Sequence, residues 1–343
     1  MIDSAIIEET RRESRRGGLD LILMPAAVAA IGLTLAWFYH WGGYLHRFSQ
    51  GISAYIGLFI LQFALYLAAC YFVFRKPAGP PRRVMLVTAA IVVSLAGVFR
   101  AELAGKPPYL STDTYRYVWD GYVQAHHINP YRYKPTAEQL AFLRDDRIFP
   151  KINGADYAVT PYPPVAQMIY YLVDLISPLS VTAFKVAVLV FDMITILAIM
   201  LVLARAGMNP SRAVVFAWHP LLIWEGAHSG HVDSAFIAFL ALALLAWTYG
   251  RHVLTGAALG AATLIKFYPI ILLPVFLCGA ADQSAYLGAV VRSRLAKLKE
   301  ISALLKTALL GNAGRRTILG LAGTLVLCYL PYLAMGSGMF GYL

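Results

Sequence analysis

Apolar residues run along this chain in long blocks separated by short basic turns, and the blocks define its elements. Leu21 to Tyr39 is the first, with Trp37, Tyr39, Trp41 and Tyr44 forming an aromatic belt at its end. Ile52 to Phe74 supplies the ~20 apolar residues that a bilayer-crossing helix needs, and Val84 to Phe99 follows as the third block. Arg11, Arg12, Arg15 and Arg16 precede the first block, and Arg75, Lys76, Arg82 and Arg83 lie between the second and third. Under the positive-inside rule both groups are cytoplasmic, so the polar stretch Arg100 to Pro164 is delivered to the extracytoplasmic face.

Beyond that stretch the pattern is less regular. Val165 to Ile176 holds only about a dozen residues, too few to cross, which predicts an interfacial or re-entrant helix. Val181 to Ala204 then crosses inward to Arg205 and Arg212, Ala213 to Glu225 goes out, and Ser234 to Tyr249 returns. Val253 to Ala281 is interrupted by KFYP at Lys266 to Pro269, so it reads as two short helices with Lys266 at the outer turn. One unbroken helix would put seven Lys and Arg of the next segment outside. Asp282 to Arg316 interleaves those bases with Leu287, Val291, Leu295 and Leu298 at helical spacing, a basic amphipathic helix for the cytoplasmic leaflet. Thr317 to Met335 is the last span, and the end at Leu343, just inside a new outer loop, reads as a fragment.

The expected fold is therefore all-α: a polytopic membrane bundle of about nine spans with interfacial helices in a large outer loop. Its expected divisions are N-terminal spans at 1–99, the outer loop at 100–180, membrane helices at 181–281, the basic segment at 282–316 and a last span at 317–343.

Composition agrees with a membrane protein. The chain is 59% hydrophobic and 14% charged, with mean hydropathy +0.63, far from the roughly 25% charged residues of soluble domains. Its net charge of +11 reports orientation in the bilayer rather than a nucleic-acid partner. Cys70, Cys278 and Cys328 all sit in apolar runs and read as small core residues rather than a disulfide or metal framework.

The outer loop holds seven of the eighteen carboxylates and eight of the twenty-one tyrosines, an investment in chemistry rather than connection. The predicted topology gathers Asp113, Arg116, Asp120, His126, His127, Glu225, the HSGHVD turn His228 to Asp233, and Lys266 on one face. Charged groups at helix ends in a membrane are costly unless they line a wet cavity. Several keep plainer readings: Arg116 and Asp120 can pair with each other, and His228, His231 and Asp233 can hydrogen-bond a sugar or serve as polar packing. The tyrosines from Tyr115 to Tyr133 can stack on sugar faces or anchor the loop at the interface. Lys185 and Asp192 read as a structural pair inside one span.

Taken in order, STDTYRYVWDG, HHINPY, YPPVAQ, WHPLLIWEGAHSGHVD and GAATLIKFYPIILLP resemble the GT-C superfamily of polyprenyl-phosphate-sugar-dependent glycosyltransferases. They are most similar to bacterial polyprenol-phosphate-mannose mannosyltransferases of glycosyltransferase family 87, over roughly Arg100 to Tyr332. The resemblance implies a catalytic carboxylate at Asp113. Relatives often carry D-x-D there, whereas Tyr115 occupies the second position here, so neither a divalent metal nor another cofactor is expected. Phosphate is already a good leaving group, and one base with cations to hold it is sufficient. Asp113 is the expected base. Lys266 is the first choice for the donor phosphate and Arg116 the second, with Asp120, His228, His231, Asp233 and Tyr268 as further substrate contacts.

The implied activity is transfer of a hexosyl group, mannosyl in the first instance, from a polyprenyl-phosphate donor to a glycan or lipid-linked acceptor with inversion. The implied location is a bacterial inner membrane with an outward-facing site. A lipid-linked sugar transporter or flippase, using the same basic and aromatic residues without a base, is the alternative.

Overall fold

The computed structural model describes residues 23–45, 51–75, 81–278, 309 and 311–334. Among them every regular element is helical. Long apolar blocks withdrawn from water must satisfy their peptide groups internally, and the helix does this within one segment. In chain order the main helices are α1 (Leu23–Gly42), α2 (Gly51–Phe74), α3 (Arg82–Ala104), α4 (Asp113–Ala125), α5 (Pro164–Ile176), α6 (Val181–Arg205), α7 (Asp233–Thr248), α8 (His252–Thr263) and α9 (Asn312–Tyr329).

Five helical runs are long and apolar enough to cross a membrane: α1, α2, α3, α6 and Asn312–Ala334, which opens with α9. Counting Pro220–His228 with Asp233–Thr248 as one broken span raises this to six among the described residues, which does not confirm the nine expected. Two of the expected crossings are not continuous helices. Ala213 to Glu225 is no helix but a series of single turns, Pro210–Ala213, Val214–Ala217, Pro220–Ile223 and the π-turn Trp224–His228. Pro220, in the middle of the block, removes a backbone donor that a continuous helix would use. The block from Val253 does break at Lys266–Pro269, and its halves are α8, of 12 residues, and a 3₁₀ turn Tyr268–Leu272 running into Leu273–Cys278. Neither half reaches the ~20 residues of a span. Leu33, Ile60, Leu67, Leu201, Leu319 and Val326 on the long helices are exposed, as side chains meeting lipid would be.

Residues 282–308 of the expected amphipathic helix lie outside the described residues. Its last bases, Arg315 and Arg316, belong instead to the first turns of α9, which starts at Asn312, ahead of the expected Thr317.

Two compact units divide the chain. The first comprises Met1–Tyr109 and Ile199–His228. Its broken turns leave carbonyls that the helical ladder cannot use, and side chains of α2 and α3 meet them. Tyr66 donates to the Val215 carbonyl at 3.1 Å, and the fully buried Arg100 donates to that of Ala217 at 2.8 Å. In the other direction the indoles of Trp218 and Trp224 donate to Val92 O (2.9 Å) and Gln62 Oε1 (2.8 Å). Arg100, expected at the edge of the polar loop, is thus a buried strut.

The second unit, Leu110–Ala198 and Ser229–Leu343, contains the outer loop from Leu110 onward. Its α8 and α9 cross in backbone contact. A Cβ on Gly256 would strike the Thr317 carbonyl, and one on Gly320 the carbonyl of Val253, so small residues on both helices set the approach. Its core joins α4, α5 and α6 through Tyr117, which stacks on Tyr170 (4.9 Å) and packs on Phe184 (5.3 Å). Lys185 and Asp192 are both buried on α6.

Candidate functional site

Asp113 is the first residue of α4, where Ser111 Oγ accepts its backbone N–H at 3.2 Å. Asn153 Nδ2 donates to Asp113 Oδ1 at 2.6 Å, and Oδ2 faces His231 Nε2 at 3.8 Å, within reach of its charge but beyond a hydrogen bond. Asn153 arrives through a chain of local causes. The Asp145 carboxylate accepts the backbone N–H groups of Ile148 and Phe149, which turns RDDRIFP into the short helix Phe149–Lys151. Lys151 leaves that turn with its ammonium 4.9 Å over the Tyr115 ring. Sequence reasoning does not single out Asn153 or Lys151. The single cue is the Asx-type turn at Asp145, which predicts ordered chain but no destination.

His231 reaches Asp113 because Gly230 precedes it at φ +75°. A Cβ there would meet Thr114 Oγ1 and Lys185 Cγ at 3.0 Å, so only glycine lets this turn lie on the start of α4. Two residues later Asp233 opens α7, and its Oδ1 receives Lys266 Nζ at 2.8 Å, with both side chains about one-third exposed. Lys266 follows α8 in the break. Just before it, the Leu264 carbonyl accepts the N–H groups of Val165 (3.0 Å) and Ala166 (3.3 Å), two donors that the first turn of α5 cannot satisfy itself. The motifs LIKFYP and YPPVAQ therefore meet directly. HHINPY joins them, since the Tyr131 hydroxyl donates to the Tyr162 carbonyl at 2.7 Å.

One phenol reports how these carboxylates are grouped. Burial pushes the Tyr162 hydroxyl up to about 12, with its bond to Tyr117 pulling the other way and the Asp113, Asp120 and Asp233 charges adding to the rise. Tyr162 lies in the field of all three and stays a neutral hydroxyl. Burial, then the Asp233 charge, also lifts Tyr268 to about 12, and its ring packs edge-on against Phe236 at 5.0 Å.

Arg116 and Asp120 lie deeper. Both are buried, Arg116 Nε donates to Asp120 Oδ1 at 2.8 Å, and Gln167 Nε2 donates to Asp120 Oδ2 at 3.2 Å. Arg116 also donates to the Ala158 carbonyl at 3.3 Å, so the pair ties α4, α5 and the loop together. His228 belongs to the first unit, where its ring packs on Trp224 at 4.9 Å. The second unit thus brings together Asp113, His231, Asp233, Lys266 and Tyr268 as a partly open cluster above a buried ion pair. Among the described residues no three His, Cys, Asp or Glu side chains converge as metal ligands.

Among the described residues the elements are helical, with several runs apolar enough to cross a membrane, and a carboxylate, a histidine and a lysine are grouped around one loop. Residues 21–282 match the MptA_B family, described as alpha-(1->6)-mannopyranosyltransferase, N-terminal domain, and the chain belongs to that family. The membership agrees with the GT-C mannosyltransferase resemblance of the motifs and supports glycosyltransferase activity. No curated protein matches the chain.

Proposed function

We propose that the protein transfers a mannosyl group from a polyprenyl-phosphate donor to a glycan or lipid-linked acceptor, at a site on the extracytoplasmic face formed around Asp113. The observation that carries this is the setting of Asp113: one oxygen held by Asn153 and the other toward His231, in the unit that also holds the Lys266–Asp233 pair.

In the proposed step the acceptor hydroxyl oxygen attacks the anomeric carbon while the bond to the phosphate oxygen breaks. The electron pair leaves with the phosphate, and the hydroxyl proton passes to Asp113. A single in-line displacement inverts the centre, so an α-(1→6) product of the kind in the family's description requires a β-linked donor. Lys266 meets the phosphate, with Lys151, over the Tyr115 ring, as a second cation. Arg116, buried on Asp120, supports the site from beneath rather than contacting the donor. His231, Asp233 and Tyr268 contact the sugars. An apolar cavity of about 650 Å³ between α5 and α6, lined by Leu172, Ile176, Val186 and Val190, offers an isoprenoid tail a bed on the same helix that carries Lys185 beneath Gly230. The alternative, a flippase for lipid-linked sugars, has no use for a base held in one orientation.

The test is Asp113→Asn in reconstituted membranes supplied with labelled polyprenyl-phosphate mannose. Transfer should vanish while donor binding persists, and retained turnover would remove Asp113 as the base. Lipid-linked sugar crossing the bilayer without transfer would favour the flippase.

A further inference from the structure

At the far end of α4 from Asp113 lies a cavity of about 480 Å³, lined by Gln124, His127, Asn129, Met168, Tyr171 and Tyr332. The two ends are roughly 16 Å apart along the axis at 1.5 Å per residue, a few sugar units from the reacting carbon. The cavity is built, not left over. His127 closes α4 at φ +59°, a left-handed position that helices usually give to glycine, with its N–H on the Gln124 carbonyl at 2.9 Å. Histidine enters this region more readily than most side chains, and here it places an imidazole in the cavity lining. The Gln124 side chain is locked, donating to Gln167 Oε1 at 2.9 Å and accepting from the Tyr332 hydroxyl at 3.0 Å. Asn129 Oδ1 accepts the Tyr131 N–H at 3.0 Å, which leaves the Asn129 amide NH₂ for the cavity.

Aromatic walls with imidazole and amide groups suit a hexose, whose C–H face lies on rings while its hydroxyls take planar polar partners. Among the described residues no Lys, Arg, Asp or Glu lines the cavity, so it lacks the charge to hold a phosphate. We propose that it is an acceptor subsite, holding a mannosyl unit of the acceptor glycan remote from the one being extended. The assignment rests on the transferase reading above. The same hydrogen-bond chain runs from Tyr332 through Gln124 and Gln167 to Asp120, so the subsite and the Asp113 end share one scaffold.

The experiment titrates the full chain in nanodiscs with α-(1→6)-linked mannotetraose and, separately, with mannose, by calorimetry without donor. Asn129→Asp keeps the acceptor for the Tyr131 N–H but removes the NH₂ donor. His127→Gly removes the imidazole and relieves the left-handed strain, so this variant should melt higher while binding more weakly. Each should weaken tetraose binding by about tenfold, the worth of one good hydrogen bond. Tetraose binding equal to wild type in both variants, or wild-type tetraose binding no tighter than mannose, overturns the subsite. A parallel transfer assay separates the two readings: absent mannosyl transfer with intact, variant-sensitive tetraose binding rejects the reaction and keeps the subsite, and the reverse rejects the subsite alone.

Discussion

Lys266 Nζ lies 2.8 Å from Asp233 Oδ1, and Asp233 shares a turn with His231, whose imidazole faces Asp113. The ammonium is thus held within the same short segment that reaches the expected base, and it is exposed enough to meet a ligand. If it receives the donor phosphate, Lys266→Met should lose roughly 100-fold in kcat/KM, the scale of one donor aimed at developing charge. Lys266→Arg should keep part of the rate. Asp233→Asn should cost far less, because a pair this exposed contributes little by itself. Initial rates at varied donor concentration decide it, and an unchanged donor KM with unchanged kcat in Lys266→Met removes the lysine from this role.

Asn153 poses a sharper question, because it touches the base without any chemistry of its own. Its 2.6 Å bond fixes which Asp113 oxygen points away. Asn153→Ala should lower kcat by about 10- to 100-fold through misorientation, with little change in either KM. Asn153→Ser, able to donate again, should recover part of the loss. Equal kcat in Asn153→Ala and wild type would show that Asp113 is held by other means.

The buried Arg116–Asp120 pair predicts instability rather than slow chemistry. Removing one partner leaves the other charged and enclosed, at a cost of about 3–5 kcal/mol. Arg116→Met should therefore lower the melting temperature in detergent sharply, and Arg116→Met with Asp120→Leu should recover much of it. A stable Arg116→Met with a raised donor KM would instead return Arg116 to the phosphate.

Much of this was legible in the sequence, for identifiable reasons. Five runs stand out by apolar pattern and return as long helices, and Pro163–Pro164 with the KFYP break marks the start of α5 and the end of α8. Arg116 and Asp120 stand four apart on a helix, so their pairing was readable, but their burial depends on Ala158 and Gln167 folding over them. His228 and His231 look like one cluster on paper. Gly230 turns the chain between them, and the first ring packs on Trp224 while the second faces Asp113. Asn153 could not be read at all, since its partner lies forty positions earlier and the link is made by loop turns rather than by any period. Ala213 to Glu225 reads as one continuous helix because its residues are apolar, whereas Pro220 breaks it into short turns.

The last prediction concerns pH and the turn joining α5 to α6. Asp174 is buried, and burial raises its carboxyl above the usual range, while the N–H of Leu179, which it accepts at 2.9 Å, and the charge of His126 pull it partly back. An acid whose folded pKa is raised binds its proton more tightly in the native state, so its contribution to stability is full below the unfolded value near 4 and is lost as pH rises through the folded one. At neutral pH the ionised side chain therefore costs stability, yet its oxygen still holds Leu179 at φ +50°. Asn at this position supplies the same acceptor without the charge. Asp174→Asn should melt above wild type at pH 7, and the gap should close as pH falls toward 4. A variant that melts lower at pH 7 would mean that the charge on this oxygen strengthens the Leu179 bond by more than burial costs it.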